Sequence, residues 1–445
     1  MRANTKTATA LLAAAGGLVM PGAGLAQECG WEGLDAEVRP YGESRRQMLV
    51  HDDGRGPALY VSAGVLTAGD ERLGPIARFD GDAWSAVGDL GEVWVSALST
   101  LDLGDGPRLY AALSDFLAST STIHVLDGDA WVPYGPALDG VARQLVAFDD
   151  GSGPMLYASG DIDFGFDDLR VRGVARLEDG RWAGFGTVGN FYGVFGTVND
   201  MVVFDDGDGP ALYLAGDRVW PDRAPLPIEI GVARWDGAAF SVVEGSPASV
   251  VRDMLVVDDG EGQSLYVGGL MSLPSGPHGV GAARWDGDAW TALGEDFEDD
   301  ALSLAFFDRG DGPALYAAGR FEEIGDYRVE SIARWDGAAW RPLDEPLEGG
   351  AILIAGWDRG DLRGLYAVGG TRYIGERYIG GVPRWDGCTP CPADLDIDGA
   401  LTIFDFLAFQ DLFQYGDLRA DFDRDGELTL FDFLAFQTAF DAGCP

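Results

Sequence analysis

The chain has 445 residues, with 73 Asp and Glu against 31 Lys and Arg and a formal net charge of −42. Phosphate recognition needs a basic face, so nucleic acid is excluded as a partner class, and the acidity reads as a solubilising surface suited to a salty or calcium-rich medium. The single lysine, Lys6, stands near the start, so the chain beyond it can form neither a lysine Schiff base nor a P-loop.

Residues 1–26 combine an early charge (Arg2, Lys6), an apolar run from Ala8 to Met20, and small residues at Gly24 and Ala26. This is the pattern of a secretory signal peptide. The run is too short, and too broken by Gly16, Gly17 and Pro21, to serve as a membrane span, and no later stretch is long enough. The expectation is a secreted protein, extracellular or associated with a cell surface. In an oxidising compartment the even set Cys29, Cys388, Cys391 and Cys444 favours disulfides over free thiols, with three pairings open from the count alone.

From residue 47 onward one unit recurs. A Leu-Tyr pair places its tyrosine at Tyr60, Tyr110, Tyr157, Tyr213, Tyr266, Tyr316 and Tyr366, at intervals of 47 to 56 residues. An Asp eight residues earlier opens a Gly-rich turn, as in DDGRGP (52–57) and DDGDGP (205–210), and a second turn follows in ARFDGDAW (77–84) and ARWDGAAW (333–340). Each unit reads as four short strands separated by turn chemistry, without helical periodicity. Seven such units predict an all-β domain, a seven-bladed β-propeller over 27–387, in preference to a β-solenoid, which would need shorter rungs and capping ends.

The ends of the array point to closure. The seventh unit stops at VPRWDG (382–387) without the aromatic fourth strand that Trp84, Trp131, Trp290 and Trp340 begin elsewhere, whereas CGWEGLDAEVRPYG (29–42) supplies a spare strand carrying Trp31. The N-terminal strand is therefore expected to complete the last blade. That would place Cys29 beside Cys388 for a ring-locking disulfide and leave Cys391 to pair with Cys444. The motif LYVGG…ARWDG..W..LG resembles extracellular propellers with kelch-like or Rax2-like repeats, a likeness that identifies a fold and not an activity.

After Cys388 the pattern changes. DIDGALTIFDFLAFQ (396–410) and DRDGELTLFDFLAFQ (423–437) align at an offset of 27, each within a twelve-residue D-x-D-x-D-G loop. An EF-type loop offers oxygens from positions 1, 3, 5, 7, 9 and 12, with Gly at 6 for the turn. The first set is Asp394, Asp396, Asp398, the carbonyl of Ala400, Thr402 and Asp405. The second is Asp421, Asp423, Asp425, the carbonyl of Glu427, Thr429 and Asp432. Four carboxylates per loop repel one another without a cation, so two Ca²⁺ ions are expected as cofactors and as conditions of folding. Pro392 before the first loop and Asp in place of Glu at position 12 depart from an ordinary EF-hand. In these respects 388–445 resembles a type I dockerin bracketed by Gly-Cys pairs. That resemblance implies a small α-helical domain, a cohesin-type protein as partner, and partner selection at Ile403 and Phe404 and at Leu430 and Phe431.

Conventional catalytic signatures are absent from the sequence. His51, His124 and His278 occupy non-equivalent places and read as surface or loop residues, and there is no zinc spacing or G-x-S-x-G elbow. Trp235, Trp285, Trp335 and Trp385 recur at one structural position, so they are expected to pack between blades and not to stack on sugars. The Asp52-type residues are explained by turn formation. The long connections 162–173, 217–231 and 270–281 are the variable surfaces, with Trp220 and Arg223 in the second. The functional expectation is a non-catalytic binding propeller with carbohydrate or a surface protein as ligand, tethered by its tail. A polysaccharide-degrading enzyme delivered by the same tail and a structural scaffold are the rival readings.

Overall fold

The structure is a computed structural model. It describes residues 30–39 and 47–386, apart from 116, 167, 189–190, 221–230, 259–261, 275–277, 295–296, 310–311, 326, 344–346, 348–349, 358–362, 371–372 and 375–376. In the tail it describes Ala393, Leu395, 401–415, Ala420, Phe422 and 428–442. The chain divides into two compact units, Gly30–Gly387 in one and the terminal segments in the other.

The larger unit is a β-propeller of antiparallel strands. Its first repeat runs Gln47–Asp52, Pro57–Ala68, Glu71–Phe79 and Trp84–Ala86, each paired with the next. The same order recurs, for example, in Ala248–Asp258, Gln263–Ser272, His278–Trp285 and Trp290–Ala292. The turns follow from the recurring aspartates. Asp52 Oδ1 accepts the amide hydrogens of Gly54 (2.8 Å) and Gly56 (3.0 Å), and both glycines have positive φ, 93° and 99°, which a residue with a Cβ rarely adopts. The second turn is closed the same way, Asp286 Oδ1 accepting from Asp288 and Ala289.

The first strands of the repeats, Gln47–Asp52, Trp94–Asp102, Leu138–Asp149, Phe195–Asp205, Ala248–Asp258, Ala301–Asp308 and Ala351–Trp357, lie each against the next, and the last lies against the first. The core therefore sits between neighbouring repeats. Tyr60 and Ile76 pack with Val95, Leu109 and Ala111, while Leu59 and Val61 pack with Tyr366, Val368 and Val382. Small and β-branched residues dominate these faces, as strands covered on both sides require.

The last repeat, Ala351–Trp357, Gly364–Gly369 and Pro383–Trp385, takes its fourth strand from the other end of the sequence. Trp31–Gly33 pairs antiparallel with Pro383–Trp385 in the register Trp31↔Trp385. A hydrogen bond shared with three other junctions marks this one as equivalent to them. Trp131 Nε1 donates to Val87 O (2.8 Å), Trp182 to Pro136 O (2.9 Å) and Trp340 to Leu293 O (2.6 Å), each carbonyl closing the preceding repeat. Trp84 makes the same bond to Leu34 O (2.6 Å), just beyond the N-terminal strand. A buried indole N–H without an acceptor would carry a desolvation penalty, so this bond fixes the seam as well as filling it.

In the tail, α1 (Ile403–Tyr415) and α2 (Leu430–Ala442) pack through Phe406, Phe409, Phe436 and Phe440, with Phe409 stacked on Phe436 at 4.6 Å. Among the described residues no helix is long and apolar enough to cross a membrane.

Candidate functional site

Two places concentrate functional groups, the channel enclosed by the first strands and the tail helices with their loops.

The channel begins with a backbone irregularity. In every repeat after the first, the pairing of strands one and two skips a residue at an equivalent place: Ser96, Arg143, Asn199, Arg252, Leu302 or Ile352. The equivalent Arg46 lies outside the described residues. Such a bulge re-aims a side chain and increases the local twist. It also explains the last residue of the LYxxG motif. A Cβ at Gly160, Gly216, Gly269, Gly319 or Gly369 would overlap the carbonyl oxygen of Val141, Thr197, Val250, Asp300 or Gly350, two residues before the bulge in each case. Glycine is needed there for close backbone approach.

Polar side chains of the first strands, in four repeats the residue just after the bulge, reach across to the next repeat. Ser99 Oγ donates to Gln144 Oε1 (3.1 Å), and Gln144 Nε2 to Asp200 Oδ1 (2.8 Å). Asp200, 5% exposed, also accepts the amides of Met201 and Met254, at 2.8 Å each. Asp253 accepts from Leu304 N (2.6 Å), and Ser303 Oγ bonds both Ile354 N and Ile354 O. A buried carboxylate is tolerable when several donors converge on it, so these groups act as latches between repeats. Together the inner strands line a cavity of about 970 Å³. Its lining mixes polar groups, among them Gln144, Asp200 and Asp253, with apolar ones, among them Met48, Leu49 and Leu353.

Ion pairs at the turns are structural. Tyr60, Tyr157 and Tyr213 donate their hydroxyls to Asp53 (2.7 Å), Asp150 (3.0 Å) and Asp206 (2.6 Å), which also face Arg78, Arg176 and Arg234. Burial works against the charge on Asp53, but hydrogen bonds from Arg55 and Tyr60 outweigh it and hold the carboxyl below the usual range. Burial, then the bond to Asp53, pushes Tyr60 up to about 12.

The histidines correct the expectation of surface or loop placement. His51 is 6% exposed within Gln47–Asp52, edge-on to Tyr60 at 5.7 Å, with Nδ1 3.1 Å from Thr100 Oγ1. Burial lowers its pKa, with Asp53 and Asp52 opposing. His124 lies in Thr120–Asp127 and His278 begins His278–Trp285. The repeat tryptophans pack as expected: Trp235 lies 5.1 Å from Phe185 and Trp385 6.0 Å from Tyr316, both partners belonging to the preceding repeat. Of the long connections, Asp163–Phe166 pairs with Leu169–Arg172, and Phe191–Gly193 runs parallel alongside Arg170–Arg172. Arg223 and the side chain of Trp220 are outside the described residues.

In the tail, eight of the twelve loop positions, Asp394, Asp396, Asp398, Ala400, Asp421, Asp423, Asp425 and Glu427, lie outside the described residues, as do all four cysteines. The four described positions are equivalent pairs. Asp405 and Asp432, the twelfth position of each loop, are both 0% exposed. Asp405 accepts the amides of Leu395 and Thr402 (2.8 Å each), and Asp432 that of Thr429 (2.6 Å). Thr402 and Thr429 cap the helices, each Oγ1 accepting from the residue two further on at 3.1 Å. Asp405 and Asp432 each offer, at the twelfth position of their loops, the carboxylate oxygens that a calcium loop uses there. The residues therefore fit calcium.

The apolar side chains of these helices divide between two faces. Phe406, Phe409 and Phe413 pack inside, whereas Ile403 (53%), Phe404 (60%) and Leu407 (50%) face outward, repeated at Leu430, Phe431 and Leu434. These six are most of the large hydrophobic side chains exposed among the described residues. Leu407 and Leu434 lie one turn beyond the residues singled out as partner contacts.

No family model matches the chain, and no curated protein matches it significantly. Solved structures similar to it include the Cps50 (Swd1) β-propeller domain of Myceliophteria thermophila, at 11% identity and a TM-score of 0.39, covering 77% of this chain and 99% of that one. Another is the Dos1 propeller, at 10% identity and a TM-score of 0.41, covering 80% and 95%. With likeness this low, the β-propeller assignment rests on the chain's own strand order and its closed cycle of first strands.

Proposed function

We propose that this is a secreted, non-catalytic binding propeller of seven blades, occupying 27–387, tethered to a cohesin-type partner by a calcium-dependent dockerin-like tail over 388–445. The observation that carries the reading is the duplicated arrangement of Asp405 and Asp432, buried completely at equivalent positions one and two residues beyond outward-facing apolar pairs. Loop ligands and partner contacts thereby share one short segment. Asp394, Asp396, Asp398, Thr402 and Asp405, with the carbonyl of Ala400, would hold one ion; Asp421, Asp423, Asp425, Thr429 and Asp432, with the carbonyl of Glu427, would hold the other. Bound calcium supplies the positive charge that lets four carboxylates approach. The chain's own part is to position the first turn of each helix, since Thr402 and Thr429 cap it and the buried aspartates tie it to the loop. Ile403, Phe404, Leu430 and Phe431 are then presented on ordered helix ends, where burying them against a partner contributes without further ordering. The inter-blade latches and turn ion pairs suit a rigid binding frame.

Hydrogen exchange on the full-length protein, compared in excess calcium and in chelator, tests the tether. Peptides covering 401–415 and 428–442 should lose protection when calcium is removed, while propeller peptides remain unchanged. Equal protection of the tail in both conditions refutes the calcium reading.

A further inference from the structure

The bulges do more than bend the strands, because they bring two matched ion pairs to the channel. Arg143 and Arg252 occupy the bulge in repeats three and five, both line the 970 Å³ cavity, and both are partly exposed, at 31% and 37% of the side chain. Each is oriented by one carboxylate. Arg143 Nε and Nη2 reach Asp161 Oδ2 at 3.2 and 2.6 Å, and Arg252 Nε and Nη2 reach Asp300 Oδ2 at 2.9 and 2.7 Å. Between them, at the bulge of repeat four, stands Asn199, its Nδ2 held by Val251 O at 2.9 Å. Donors and acceptors on three adjacent repeats thus have fixed directions before any ligand arrives, which lowers the ordering penalty of binding. Apolar side chains, Met48, Leu49 and Leu353 among them, also line the cavity.

This arrangement selects among ligand classes. An anion would have to compete with Asp161 and Asp300 for the guanidiniums, against the field of a chain with net charge −42. A wholly apolar ligand would take water from the polar groups at the bulges and give nothing in return. A hydroxyl both donates and accepts, so adjacent hydroxyls match a guanidinium–carboxylate pair, and the C–H groups of a sugar ring suit a lining that also carries apolar side chains. The cavity falls within the range of ligand pockets, about 300–1,000 Å³.

We infer that the bulge end of the channel is a binding site for a neutral saccharide, held by the Arg143–Asp161 and Arg252–Asp300 pairs. The inference rests on the reading of the propeller as a binding module and locates its ligand.

The test is titration calorimetry of the full-length protein in calcium with cellohexaose, xylohexaose and mannohexaose, and with an oligogalacturonate hexamer as the anionic comparison. One neutral hexamer should bind, and Arg143→Gln and Arg252→Gln should each weaken it by about tenfold or more. Arg72→Gln, at an exposed pair with Glu92, should leave binding unchanged. Should an arginine variant fail to fold, Asp161→Asn removes one acceptor at an exposed position, and saccharide-dependent exchange protection of 138–149 and 248–258 gives an independent readout. If a neutral hexamer binds but the channel variants match wild type, the location is wrong while the binding-module reading survives. Binding of the galacturonate hexamer alone overturns the neutral-saccharide inference. If no hexamer binds, both the inference and the saccharide-binding reading fall.

Discussion

Closure by the N-terminal strand makes Trp31→Ala the most informative perturbation of the fold. Trp31 is 1% exposed, packs in one cluster with Phe307, Tyr316, Ile379 and Trp385, and holds a strand of three residues in register with Pro383–Trp385. Truncating a fully buried Trp removes its transfer free energy and leaves a cavity, a loss of about 3–5 kcal/mol, against a typical domain stability of about 5–15 kcal/mol. Trp131→Ala provides the comparison, because Trp131 occupies the corresponding fourth strand of the second repeat, is only half-buried, and is tethered by a short turn to the strand it pairs with. Urea denaturation should show the larger loss for Trp31→Ala. Hydrogen exchange should show raised rates at Arg384 and Trp385 in that variant alone, since only this fourth strand is held by pairing without a local connection. A loss below about 1 kcal/mol, or unchanged exchange at Pro383–Trp385, would refute the closure argument.

Gly269→Ala should destabilise the propeller by about 1–3 kcal/mol, the range for overpacking, because the new methyl would meet the Val250 carbonyl. Gly165→Ala, with nothing within 4 Å, should be nearly neutral in the same thermal melts, and equal effects would refute the close-approach reading of the LYxxG glycine. In acid, burial of Asp336 is outweighed by hydrogen bonds from Arg341 and the amides of Ala339 and Ala338, which lower its carboxyl from 3.8 to about 2. A depressed folded pKa stabilises above about pH 4 and loses that contribution as pH falls towards 2. Melts between pH 5 and 2 should therefore fall less steeply for Asp336→Asn than for wild type, and parallel curves would count against the pairing.

Elements with local causes are legible in the order of residues alone. Asp-x-Gly-x-Gly turns depend on a carboxylate reaching amides two and four residues ahead, so the hairpins are legible wherever Asp52, Asp102, Asp149 or Asp205 recurs. The helices are legible too, since both FDFLAFQ runs lie within them. What only the tertiary structure decided are the relations across the ring. The bulge at Arg143 and Arg252 leaves just a glycine as its trace, and nothing near Asp200 in sequence announces that its carboxylate will receive the amide of Met254. Likewise His51 is buried because Tyr60 and Thr100 close over it, and Phe406 is separated from Phe404 by which helix face the partner helix covers. Turns and helix starts are set by hydrogen bonds within a few residues, whereas burial and the aim of a side chain depend on neighbours that the closed ring brings from about fifty residues away or more.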